Sequence, residues 1–356
     1  MTYVGERIRR KEDPALLTGR SRFIADLTTD SLAACFVRSP VAAGFIRAVK
    51  SPEGALVFTG TDLADVDPIE PILHRADYVR VPQRVLAQDR VSYVGEPVAV
   101  VLAPSRQMAE DLSEKVWVDL EATEPVVGIA AALGDSGRQT HPGRPNVVVE
   151  GQSLQGDVDQ AFNEAAQVFD FEIRSRRQNA MPLEARGAKA LFDPVTGRIT
   201  LYASTQTPHL HRTVIADLLH MPESDLRVVT PSVGGGFGQK MSLPPEYVVV
   251  VWLAHRMRRS VAWIEDRREN FMSSFHSRDQ LYRVRAAFDA EARLQAIDAD
   301  VVADVGAYSC YPVTWGVEAL MAMSEIPGPY DFQRLRVRSR SVATNTCPMS
   351  PYRGVS

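Results

Sequence analysis

A chain of 356 residues is long enough for two or three domains, and 45% hydrophobic with 24% charged residues is an ordinary globular balance. A formal charge of −4 leaves no electrostatic footprint for nucleic acid, and the apolar runs are too short to span a bilayer. Three widely spaced cysteines, Cys35, Cys310 and Cys347, form no CxxC pair and cannot hold a four-cysteine iron–sulfur cluster; they fit a reducing, cytoplasmic setting. The first residues show no apolar signal core.

In chain order, residues 32–38 and 55–59 read as strands. Residues 97–103 form a continuous apolar strand, Ser105 caps a helix over 106–114, and alternation resumes over 117–121, giving a strand–helix–strand unit. The polar, Gly/Pro-bearing stretch 134–146 has no periodicity and reads as an interdomain linker. Helical spacing follows over 158–168, then a strand over 169–173 and a hairpin joining 188–192 to 199–203. Pro208 opens a helix to Leu219, residues 226–230 are strand-like, and Pro244-Pro245-Glu246 opens a long apolar helix to His255. Residues 261–264 and 334–339 are further strands.

The densest signal is Ser232-Val233-Gly234-Gly235-Gly236-Phe237-Gly238-Gln239-Lys240, directly after a strand. Glycines there let the backbone approach a ligand, and successive amides can converge on an anion or oxo group. The phosphate-loop pattern fails, because Gln239 precedes Lys240 and Met241 follows it; the dinucleotide pattern fails at Gln239 or Met241. A packing turn is the plainer reading of the loop alone. Ser204-Thr205-Gln206-Thr207 precedes a helix, so it is either a cap or a donor amide aimed at a ligand. Trp263 to Asn270 suggests local ion pairing at a helix start. The seven histidines, with His209 and His211 on different sides of one helix, read as surface or capping residues, not metal ligands.

Taken in order, several pieces resemble one family. They are Arg9-Arg10-Lys11-Glu12-Asp13-Pro14 with Leu17-Thr18-Gly19-Arg20, Phe36-Val37-Arg38-Ser39-Pro40, Tyr93-Val94-Gly95-Glu96-Pro97, and Met181-Pro182-Leu183-Glu184. Ser204-Thr205-Gln206, the glycine run from Gly234 to Gly238, the stretch from Trp263 to Glu269, and Tyr352-Arg353-Gly354 continue the set. The chain is similar to the molybdenum-binding large subunit of the xanthine oxidase family, the molybdenum hydroxylases, especially carbon monoxide dehydrogenase large chain-like and aldehyde oxidase-like members.

The resemblance implies an α/β (α+β) fold. Residues 1–130 would be an α/β-hammerhead domain, with its core over about 18–126, and 131–157 a linker. Residues 158–356 would be the first molybdopterin-binding domain, incomplete at its C-terminus and truncated before the second. Gln206, Gly236, Phe237 and Gly238 would bind the cofactor, beside the apical oxo group of molybdenum, and Arg353 would face the substrate pocket. No side chain would ligate the metal directly. The family's catalytic glutamate would lie beyond Ser356, so the chain is expected to be inactive alone.

The implied cofactor is Mo-molybdopterin in its cytosine dinucleotide form, with FAD and 2Fe-2S clusters on partner subunits. Copper is not implied, because Gly354 stands where the carbon monoxide enzymes carry cysteine; Met241 stands where the xanthine-type enzymes carry glutamate. The implied partners are a C-terminal molybdopterin-binding half, an FAD-binding medium subunit and an iron–sulfur small subunit, without nucleic acid or membrane insertion. The implied reaction is oxidative hydroxylation of an aldehyde or N-heterocycle with water-derived oxygen. The alternative is a non-catalytic remnant, or a split-subunit half, that only binds partner subunits.

Overall fold

The computed structural model describes residues 3–134 and 136–354; Met1, Thr2, Asp135, Val355 and Ser356, part of the terminal and linker readings above, lie outside the described residues. The chain opens with α1 (Asp13–Leu17), β1 (Leu32–Arg38), β2 (Gly44–Lys50), β3 (Leu56–Thr59), β4 (Arg90–Val91) and β5 (Pro97–Ala103). Helix α2 (Arg106–Ser113), β6 (Trp117–Ala122), α3 (Ile129–Leu133), β7 (Val147–Gln155), α4 (Val158–Glu164) and β8 (Gln167–Ser175) follow. Then come β9 (Gln178–Asn179), β10 (Gly187–Phe192), β11 (Ile199–Ala203), α5 (Pro208–Leu218), β12 (Leu226–Val229), α6 (Pro245–Met257) and β13 (Val261–Ile264). The last elements are α7 (Arg267–Ser273), β14 (His276–Ser277), β15 (Gln280–Phe288), β16 (Leu294–Gly306), α8 (Gly316–Glu325) and β17 (Arg334–Ala343).

A seven-stranded mixed sheet runs in the order β12-β11-β10-β13-β1-β5-β3. It draws strands from both regions of the sequence, and the seam is the parallel pair of β1 and β13, with Leu32 opposite Val261. Helix α6 is apolar all round from Tyr247 to Ala254 and accordingly enclosed there, with Val248, Val249, Val250, Val251, Leu253 and Ala254 at 0% exposure, while His255 and Arg256 of its last turn are exposed. It forms one core with Ala188, Ala190, Leu201, Val261 and Trp263 of the sheet. The Asp193–Arg198 turn closes the β10–β11 hairpin as its sequence predicts.

A second, five-stranded sheet has the order β7-β17-β16-β15-β8. Helix α8 packs Ala322 against Val301, Leu335 and Val337 on one face. The other face carries cross-strand ion pairs, Asp170–Arg285, Glu172–Arg283, Asp298–Arg336 and Asp300–Arg340. The edge strand β8 leaves Phe169, Phe171 and Ile173 exposed.

Several expectations need correction. The 131–157 segment is not a linker throughout: residues 147–155 are β7, paired with β17, and the consecutive Val148 and Val149 are both buried, one on each face of the strand. The strand–helix–strand unit does not close in one sheet, since β5 joins the large sheet while β6 pairs with β2 in a three-stranded one. Helix α4 stops at Glu164, and Gln167 already pairs with Phe288 in β8. The helix after Ser105 is capped as expected, by the Ser105 side chain accepting from Met108 N–H.

Candidate functional site

Strand β12 delivers the chain to the glycine loop, where Gly235 and Gly238 lie at φ +100° and +93° and Phe237 between them at +53°. These left-handed values turn the loop back sharply. A Cβ on Gly236 would sit 2.5 Å from Gln206 Cδ, and one on Gly238 would sit 2.4 Å from Pro351 O. The loop is therefore bare because two other segments press against it.

The first of those segments is Ser204-Thr205-Gln206. Gln206 N–H donates to Lys240 O (3.0 Å), and Gln206 Oε1 accepts from Gly238 N–H (3.0 Å). With the amide oxygen so engaged, the amide NH2 has no hydrogen-bond partner among the described residues and is free to donate outward. The capping role fails, because Thr207, the N-cap residue of α5, makes no side-chain cap bond.

The second segment is Tyr352-Arg353-Gly354. Arg353 N–H donates to Phe237 O (2.7 Å), and the Arg353 guanidinium lies 5.2 Å from the Phe237 ring centroid. Arg278 holds this segment by donating to Tyr352 O (3.0 Å) and Gly354 O (3.4 Å). Arg278 and Asp279 are both left-handed, at φ +66° and +70°, a strain of about 1–3 kcal/mol each for non-glycine residues. Gln206, Gly236, Phe237, Gly238 and Arg353 are thus brought together around one surface.

Three groups behind this surface are not among the site residues expected from the sequence. Glu184 Oε2 accepts from Ser204 Oγ (2.6 Å), Gly234 N–H (2.8 Å) and Lys240 Nζ (2.8 Å), while Oε1 accepts from Ile24 N–H (3.2 Å). Burial pushes this carboxyl up, but the Lys240 ammonium and the three donors outweigh it and hold the pKa below the ordinary carboxylate value. Burial pulls the Lys240 ammonium down, opposed by Glu184. The resemblance picks out Glu184 only as part of a motif, and Lys240 figures only as a failed phosphate-loop lysine.

His211 is the third. It is fully buried, not a surface or capping residue, with Nε2 3.1 Å from Met241 O and Nδ1 3.0 Å from Thr205 Oγ1. Met241 O can only accept, so a hydrogen bond there places the proton on Nε2 and leaves Nδ1 as the acceptor facing Thr205 Oγ1. Burial pushes its pKa down to about 4, keeping it neutral.

The acidic stretch after β13 is structural. Asp266 caps α7 reciprocally with Glu269. Glu265 does not pair locally: it binds Arg186 (2.5 Å), beside the pairs of Arg38 with Glu246 (2.9 Å) and Glu269 (2.9 Å). Among the described residues no group of three His, Cys, Asp or Glu side chains is placed to hold a metal ion. The surface offers backbone amides, one outward amide and one guanidinium, which suits a cofactor carrying oxo or other anionic groups.

Fold and surface together define an α/β protein in which the glycine loop, the Gln206 segment and the Arg353 segment meet on one face. Residues 140–356 match the family described as molybdopterin cofactor-binding domain, and residues 18–124 match the a/b hammerhead domain of aldehyde oxidase and xanthine dehydrogenase. The chain belongs to the xanthine oxidase family of molybdopterin-binding large subunits.

The chain is 35% identical to the nicotine 6-hydroxylase large subunit of Paenarthrobacter nicotinovorans, across 99% of its own length and 44% of that protein. The crystal structure of quinoline 2-oxidoreductase from Pseudomonas putida 86 superposes with a TM-score of 0.95 at 36% identity, covering 99% of this chain and 46% of that one. The chain thus spans less than half the length of these two. It covers 78% of the nicotinate dehydrogenase large molybdopterin subunit of Eubacterium barkeri, at 26% identity over 94% of its own length.

Proposed function

We propose that this chain forms one wall of the active site of a molybdenum hydroxylase that oxidises a nitrogen heterocycle. The observation that carries this reading is the convergence of the Gln206 amide, the Gly236-Phe237-Gly238 backbone and Arg353 on one surface. When bound, the molybdenum–pterin group supplies two-electron redox chemistry and the activation of water. The chain's own residues orient and polarise: the Gln206 NH2 donates toward an oxo group, the Phe237 ring walls the substrate side, and Arg353 presents a cation to the substrate or its developing charge. Nicotine, quinoline and nicotinate in the relatives' names favour a heteroaromatic substrate over an aldehyde.

The remaining envelope of the cofactor, its cytosine dinucleotide portion and the proton-accepting glutamate would come from a second molybdopterin-binding segment. FAD and 2Fe-2S clusters would sit on partner subunits and carry the electrons away, in the cytoplasm. Among the described residues no helix is long and apolar enough to cross a membrane. A non-catalytic remnant is the rival.

The test is co-expression with a C-terminal molybdopterin-binding segment and the two redox subunits, followed by metal analysis and dye-linked oxidation of N-heterocycles and aldehydes. Bound molybdenum with heterocycle turnover supports the proposal. An assembled complex without molybdenum defeats it, and turnover of aldehydes alone defeats the substrate assignment.

A further inference from the structure

Behind the cradle surface lies a largely buried ion pair, Glu184 with Lys240, whose charged atoms touch none of the outward-facing groups. Glu184 Oε2 gathers Ser204 Oγ, Gly234 N–H and Lys240 Nζ, which belong to the start of the Gln206 segment, the start of the glycine loop and its end. Lys240 is 1% exposed. Its carbonyl accepts from Gln206 N–H at 3.0 Å and lies 3.1 Å from Thr205 Oγ1. Lys240 is therefore fixed at both ends, by its ammonium to Glu184 and by its carbonyl to the Gln206 segment. Glu184 N–H also donates to Gly234 O (3.1 Å), and a Cβ on Gly234 would lie 2.5 Å from Glu184 Cβ. No slack remains between carboxylate and loop.

We propose that the Glu184–Lys240 pair is the positioning device of the cradle, fixing the spacing between the Gln206 amide and the Phe237–Gly238 backbone, and so the register of the donors that meet the cofactor. The role in catalysis rests on the reading that this surface faces molybdenum; the role in shaping the loop does not. One carboxylate oxygen accepting three donors, one of them charged, needs an anion, because an amide oxygen has weaker acceptor strength and its NH2 partner would face Ile24 N–H. The pair also cancels its own charge, so the cradle gains rigidity without adding net charge behind the cofactor.

The test uses Glu184→Gln and, because a lone buried Lys240 ammonium could prevent folding, the uncharged double variant Glu184→Gln/Lys240→Met. In the isolated chain, amide hydrogen exchange at Gly234 and Gly238 is expected to accelerate by about tenfold or more in both variants, with Val301 in β16 unchanged. Gly238 is the informative amide, because it binds Gln206 and not Glu184. In the assembled enzyme, the variants are expected to shift the molybdenum(V) electron paramagnetic resonance signal and lower kcat by about tenfold with KM unchanged.

Acceleration at Gly234 alone, or a double variant with wild-type exchange, spectrum and kcat, would overturn the proposal and leave the pair a stability element. Absence of molybdenum from the wild-type assembly would instead defeat the functional reading, while the exchange experiment would still decide whether the pair shapes the loop.

Discussion

Arg353 is bound to Phe237 twice, through its backbone N–H to the Phe237 carbonyl at 2.7 Å and through its guanidinium over the Phe237 ring. The backbone bond needs no particular side chain, so removing the guanidinium separates substrate handling from loop structure. Arg353→Ala is expected to lower kcat/KM on the order of a hundredfold in the assembled enzyme, with molybdenum content unchanged. Metal loss with normal turnover per molybdenum would show that Arg353 serves the cofactor and not the substrate.

Gln206 uses its oxygen inward and its nitrogen outward. Gln206→Glu keeps the acceptor for Gly238 N–H but replaces the outward donor with a second acceptor. Turnover is expected to fall at least about a hundredfold, with thermal stability near that of the wild type. A variant as active as the parent would remove Gln206 from the site.

Two glycines should respond differently to the same methyl group. At Gly238 the φ of +93° and the Pro351 carbonyl both oppose a Cβ, so Gly238→Ala is expected to destabilise the fold by about 1–3 kcal/mol. At Gly236 the obstacle is the end of the Gln206 side chain, which can swing aside. Gly236→Ala should therefore cost under about 1 kcal/mol in urea unfolding yet still reduce bound molybdenum. Equal stability losses would contradict the assigned neighbours.

His211 and His276 are both held near a pKa of about 4, chiefly by burial, against 6.5 for an ordinary imidazole. A depressed folded-state pKa means that the unfolded chain takes up protons first as pH falls. The contribution of these histidines to stability is complete above pH 6.5 and is lost as pH drops toward 4. Thermal unfolding across this range should show a falling Tm, with a shallower fall in His211→Gln. Identical slopes would place the acid sensitivity elsewhere.

Behind the site, Arg186 and Glu265 are almost completely buried and 2.5 Å apart. Glu265→Ala leaves a guanidinium without its main partner and is expected to cost about 3–5 kcal/mol, measured by denaturant titration. Glu265→Gln, which keeps an acceptor for Arg186, should cost clearly less. The reverse ranking would mean that the network is dispensable.

Local chemistry was readable from the chain wherever one segment decides its own state. The capped helix after Ser105, the Asp193–Arg198 hairpin and the strand leading into the glycine run all follow from short-range signals. The long strands β15 and β16 were not foreseen, because mixed apolar and charged residues such as Arg283, Arg285, Asp298 and Asp300 find their partners only across the sheet. The same holds for the site. Gln206, Phe237 and Arg353 were named through family resemblance, but nothing in the spacing of Glu184 and Lys240 indicates that they meet. His211 reads from the sequence as a surface or capping histidine, because the Met241 carbonyl that binds it comes from a distant segment.

The parallel seam between β1 and β13 lies inside a continuous sheet, although the sequence between those strands includes a polar stretch in which residues 136–139 and 142–145 are exposed. A protease that nicks this stretch would sever the covalent link while leaving the halves clasped by strand pairing and a shared core. The hammerhead and cofactor modules are therefore not interchangeable cassettes, since each supplies the neighbour that finishes the other's edge.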